Sequence, residues 1–151
     1  MHLNASQVIS FLALTPSMEG GFYRQTFQDP QNVTTSSGTT DSASTQIYYL
    51  LQGCASPSSW HRVRDAPEVW HHYDGAPLIL SLSYNDGKPV RNVTLGKDLV
   101  KGQRPQVVVG RDEWQRATSL GDWTLVGCTV APGFTFGEYE MMGEGWMPRG
   151  A

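Results

Sequence analysis

From residue 45 onward the chain is a succession of short runs: TQIYYLLQG, SSWHRV, PEVWHHYDG, PLILSLSY, VRNVTLG, PQVVVG, EWQRAT, DWTLVGCTV and FTFGEYEMM. Gly, Pro, Asn and Asp punctuate them. Runs of this length, rich in β-branched and aromatic residues, form strands, and such frequent punctuation leaves little room for helix. NDGK at 85 to 88 is a strong hairpin-turn signal, because Asp-Gly readily supplies the positive backbone angles needed there. Nine short strands must bury a face each, and a β-sandwich or small barrel does so.

A chain of 151 residues supports one core, so a single domain over 1–151 must hold both fold and site. Its 16 Gly, 9 Pro and 17% charged residues suit a turn-rich all-β domain with minor α content. NASQVISFLA at 4 to 13 predicts a short N-terminal helix capped by Asn4, with Val8, Ile9, Phe11 and Leu12 on its apolar face and Thr15-Pro16 ending it. Residues 28 to 44, poor in apolar side chains and rich in Ser, Thr and Gly, predict a flexible surface loop. GEGWMPRGA at 143 to 151 predicts a tail or a cover over the barrel mouth.

A net charge of −3 offers no basic face, which argues against nucleic acid as a partner. The first residues lack the basic n-region and long apolar run of a signal peptide or membrane span, so a soluble cytoplasmic protein without membrane contact is expected. Cys54 and Cys128 lack metal-type spacing and read as packed thiols.

WHRVRDAPEVWHHYDG at 60 to 75 holds three of the four histidines. Side chains alternate along a strand, so Glu68, Trp70 and His72 share one face, His71 takes the other, and a bulge would exchange the two histidines. In SSWHRV, His61 and Val63 share a face. Pairing of the two strands through RDAP would bring His61, Glu68 and His72 together as a catalytic acid–base or metal-binding cluster. Glu68 in an apolar barrel would have its pKa raised by desolvation; the competing reading is an ion pair with Arg62, Arg64 or Arg24. Candidate substrate contacts are Arg24 after a double glycine, one of Tyr48 and Tyr49, Trp70, and Gln115. Arg24 pairing with Glu138 or Glu140 is the alternative. The tryptophans otherwise serve as core fillers, and Phe134, Phe136 and Tyr139 as packing or a dimer seam.

The spacing of His61, Glu68 and Gly75 resembles the first cupin motif, G-x5-H-x-H-x3-4-E-x6-G. The whole chain is similar to a small cupin family filed as a domain of unknown function. The residues that carry this are MEGGFYRQTF, STQIYYLL, SSWHRV, EVWHHYDGAPL, LGKDLVKGQRPQVVV, EWQRA and LVGCTVAPGFTFGEYE. The resemblance implies a double-stranded β-helix, or jelly-roll cupin barrel, and commonly a homodimer. In metal-bearing cupins the second histidine of that motif would fall at Val63 and that of the second motif near Gln115. His61, Glu68 and Gln115, with His72 as a substitute, remain as a reduced set for a divalent metal, and no cofactor is required.

Two classes of function follow. One is an enzyme acting on a small organic metabolite by acid–base chemistry of isomerase, epimerase, cyclase or lyase type, with a metal-dependent variant. The other is a non-catalytic module that holds a metabolite or sugar in the same pocket.

Overall fold

The structure is a computed structural model and describes residues 2–151. In chain order the elements are α1 (Ala5–Leu12), β1 (Thr15–Pro16), β2 (Phe22–Gln28), β3 (Asn32–Thr34), β4 (Thr40–Ser42), β5 (Thr45–Gln52), β6 (His61–Val63) and β7 (Glu68–Gly75). There follow β8 (Leu78–Ser83), β9 (Arg91–Leu95), β10 (Gln106–Val109), β11 (Trp114–Ser119), β12 (Trp123–Val130), a 3-10 turn (Phe136–Glu138) and β13 (Tyr139–Met141). One sheet runs β1-β2-β5-β12-β7-β10 and the other β13-β6-β11-β8-β9. The all-β barrel with one short helix is the architecture expected from the punctuated runs.

Alternation decides what lies between the sheets. Ile47, Tyr49 and Leu51 of β5, Trp70 of β7, Leu78, Leu80 and Leu82 of β8, Val107 and Val109 of β10, and Val126 and Cys128 of β12 meet in one cluster. Each of the fully buried leucines contributes roughly 1.5–3 kcal/mol relative to exposure. The opposite residues of β2, β5 and β12, namely Phe22, Tyr48, Leu50, Trp123 and Leu125, form an outer face on which α1 packs through Ala5 and Val8. Asn4 caps that helix in a full capping box with Gln7, and Ala13 ends it in the left-handed conformation. Phe11, expected on the packed face, is 74% exposed, because Val8, Ile9 and Leu12 already cover the sheet.

Four expectations change. β6 and β7 do not pair: β6 lies between β13 and β11, and β7 between β12 and β10, so RDAP carries the chain from one sheet to the other. Residues 28 to 44 contain the hairpin β3–β4, held by polar contacts that composition does not reveal. The Thr35 hydroxyl lies 2.9 Å from that of Ser37 and 2.8 Å from that of Thr39, and Ser42 donates to the Asp29 carbonyl at 2.6 Å. Residues 143 to 151 form no strand or helix but dock on the outside of the smaller sheet. There Trp146 packs on Trp114 and Trp60, and Arg149 donates to the Asn85 carbonyl. Cys54 is exposed, unlike the buried Cys128. The NDGK turn joins β8 to β9 with Asn85 and Gly87 at positive φ.

Candidate functional site

A cavity of about 230 Å³ opens at one end of the barrel. His61 and Val63 reach it from β6, Glu68 from β7, Ile47 from β5, Cys128 and Val130 from β12, and Tyr139 from β13. The segment before β2 adds Pro16, Ser17, Met18 and Glu19, and Phe134 and Phe136 complete the wall. Met18 and Phe136 are also largely exposed, which places them at the opening.

His61 is 3% exposed and both its ring nitrogens are engaged. Nδ1 lies 2.9 Å from the Ser59 carbonyl oxygen, and Nε2 lies 2.7 Å from Glu19 Oε2. The Ser59 carbonyl accepts from Nδ1, and an ionised Glu19 accepts from Nε2, which together favour the imidazolium form of the ring. Burial alone pushes its pKa down, but the Glu19 carboxylate outweighs that and holds it up at about 9. Tyr139 donates its hydroxyl to the same Glu19 oxygen at 3.4 Å, and its pKa is raised by burial and then by that carboxylate.

Glu68 stands in the opposite sheet, 7% exposed. The Trp70 indole, a donor only, gives its N–H to Gln115 Oε1 at 2.9 Å, which fixes the amide so that Gln115 Nε2 donates to Glu68 Oε1 at 2.7 Å. Burial raises the Glu68 pKa above the ordinary carboxylate value, opposed in part by the His61 charge. Cys128 is buried in the same wall, where burial and then the Glu68 charge push its thiol pKa well up, so it remains a neutral thiol. The cavity thus brings a buried cationic acid and a buried carboxyl of raised pKa together from two sheets.

The other predicted residues fall elsewhere. Trp70 and Gln115 stand behind Glu68 as its support and do not line the cavity. His72 does face inward with Glu68 and Trp70, because the register shift in β7 skips Tyr73 and leaves the alternation before it intact. It lies farther down the strand, outside the cavity, with Nε2 3.0 Å from the Ala76 carbonyl oxygen. Tyr49 is 1% exposed, stacks edge-on with Trp70 and donates to the Gly20 carbonyl at 2.7 Å; Tyr48 faces the helix layer. Arg24 is on the outer face, reaching the Leu12 carbonyl at the end of α1, since Tyr23 and Gln25 take the inward places of β2. Glu138 and Glu140 pair with Arg64 and Arg62 instead.

The sequence reading missed Glu19, the partner of His61, and gave Tyr139 to packing. Both stand far from 60–75 in sequence. The one available signal is the Glu19-Gly20-Gly21 run, whose glycines have φ of 99° and 73° and turn the carboxylate inward. A Cβ at Gly21 would stand 2.5 Å from the Leu50 carbonyl oxygen, so a side chain there would disturb that turn.

The donor set does not fit a resident metal. Val63, which stands where the cupin resemblance would place a second histidine, has no donor atom, both His61 nitrogens are engaged by Ser59 and Glu19, and the Gln115 oxygen is committed to Trp70. Among the described residues, no three His, Cys, Asp or Glu side chains are grouped to hold an ion.

Comparison with known proteins agrees with this geometry. The family model described as cupin superfamily (DUF985) matches residues 6–142. The chain belongs to the cupin superfamily. A protein from Shewanella oneidensis is similar to this cupin at 33% identity, over 93% of this chain and 85% of that one, with a TM-score of 0.84. A hypothetical protein from Leishmania major is 27% identical over 91% and 86%, with a TM-score of 0.85. An uncharacterised conserved protein with a double-stranded β-helix domain from Klebsiella pneumoniae shares the fold at 11% identity, over 87% and 91%, with a TM-score of 0.53. No curated protein matches this cupin. Its barrel is a double-stranded β-helix, and no helix among the described residues is long and apolar enough to cross a membrane.

Proposed function

We propose that this cupin is an enzyme that moves protons on a small organic molecule, without a metal, in isomerase, epimerase, cyclase or lyase chemistry. The observation that carries the reading is the placement of His61 and Glu68 on facing walls of one cavity, each with its proton affinity raised. Glu68, its pKa raised by burial, accepts a proton from the substrate when ionised and returns it when neutral. His61, its two N–H groups held by Glu19 and the Ser59 carbonyl, presents its positive charge to the oxygen on which negative charge develops. Apolar walls at Ile47, Val63 and Val130 exclude water and strengthen both effects.

Incubation of the full chain with a metabolite extract in deuterated water tests this by mass spectrometry. One component is expected to incorporate solvent deuterium or convert to product, and Glu68→Gln is expected to stop it. A component that binds but returns unlabelled and unconverted would replace the enzyme with a binding module.

A further inference from the structure

The charges around the cavity limit what can enter it. Its described lining contains His61, Glu19 and Glu68 but no Lys or Arg. The single cation, His61, is already neutralised by Glu19 at 2.7 Å, and its other N–H goes to a backbone carbonyl. The arginines nearest in sequence are spent outside: Arg24 on the Leu12 carbonyl, Arg62 on Glu140 and Arg64 on Glu138. A phosphate or carboxylate brought inside would be buried next to two carboxyl groups with no free counter-charge, an arrangement that desolvation strongly penalises. A cation would find the Glu19 carboxylate already paired with His61 and only the buried Glu68 carboxyl to face. The remaining surface is mostly aliphatic and aromatic, and about 230 Å³ is below the roughly 300–1,000 Å³ of pockets that hold drug-sized ligands.

We propose that the cavity takes an uncharged, single-ring molecule bearing a carbonyl or hydroxyl oxygen, and rejects phosphorylated and carboxylated metabolites. This rests on the reading that the cavity is the ligand site, but not on proton transfer occurring there. The ring packs on Ile47, Val63 and Phe134, and its oxygen turns toward His61 and Glu68.

Three probes of one shape and different charge decide it: benzamide, benzoate and benzylamine, titrated into the full chain at neutral pH by methyl NMR. Benzamide is expected to shift the methyls of Ile47, Val63 and Val130, with benzoate and benzylamine binding about tenfold or more weakly. Benzoate or benzylamine binding as tightly as benzamide would overturn the proposal, as would benzamide leaving those methyls unmoved at millimolar concentration. Because the titration reads binding alone, benzamide selectivity without deuterium transfer would end the acid–base reading and leave this one standing. Deuterium transfer to a phosphorylated or carboxylated component would do the reverse.

Discussion

The two ends of the barrel are built from the same strands yet are filled by opposite rules. At the closed end Leu78, Leu80, Leu95 and Ala117 are fully buried against one another. At the open end the corresponding space is a cavity rimmed by Glu19, His61, Glu68 and Tyr139. Strand β7 samples both: Glu68 faces the cavity, Trp70 sits at the boundary and His72 lies beyond it. The lesson is that alternation selects the face on which a side chain lies, whereas depth along the barrel selects whether it packs or reacts. Stability is concentrated at one end, which leaves the other free to keep polar groups buried and a hollow open.

The sharpest way to break this division is Glu68→Gln. It is expected to lower turnover by about 10²–10⁴-fold, as loss of a general acid–base does, while thermal unfolding stays close to that of the parent protein. A retained rate would move the chemistry elsewhere. At the opposite end, Leu80→Ala is expected to cost about 2–5 kcal/mol in urea unfolding, because the surrounding leucines cannot collapse fully into the space. Val63→Ala, which only enlarges an existing hollow, is expected to cost clearly less, and equal losses would deny any difference between the ends. His72→Ala is expected to remove about 1 kcal/mol of stability by taking away one of the two hydrogen bonds of the Ala76 carbonyl, which keeps that from Thr124, with turnover unchanged. A loss of turnover there would restore His72 to the site.

A pH slope in stability completes the comparison. The folded pKa of His61, about 9, stands above the ordinary imidazole value of 6.5, so its contribution to stability is fully present below about pH 6.5. It declines as pH rises and is gone above about pH 9. Glu19→Gln is expected to flatten that slope in unfolding curves collected across the window, and an unchanged slope would assign it to other groups.

Much of the fold was legible because the local signals agree. Strand β8 alternates Leu78, Leu80 and Leu82 inward, the NDGK turn follows it, and Asn4 announces the helix start. Residues 28 to 44 misled because β3 and β4 are held by hydroxyl contacts rather than apolar burial. The site was half legible. His61 and Glu68 were found by alternation and by the cupin spacing, but their meeting was ascribed to a hairpin when the sheets oppose them across the barrel. Arg24 was lost because the faces of β2 depend on its pairing with β5, which places Arg24 opposite Tyr48 on the outside. Glu19 could not be read from the 60–75 segment, since its role depends on a turn about forty residues upstream.

The account depends most on His61 being a buried cation at the mouth of a cavity. Nitrogen-detected NMR of the histidine rings across the pH range measures this directly. The prediction is a His61 ring protonated on both Nδ1 and Nε2 at neutral pH, titrating near about 9 in the parent and at lower pH in Glu19→Gln. A His61 ring that is neutral at pH 7 and titrates near the ordinary value would contradict the pairing with Glu19, and with it the division of proton roles across the cavity.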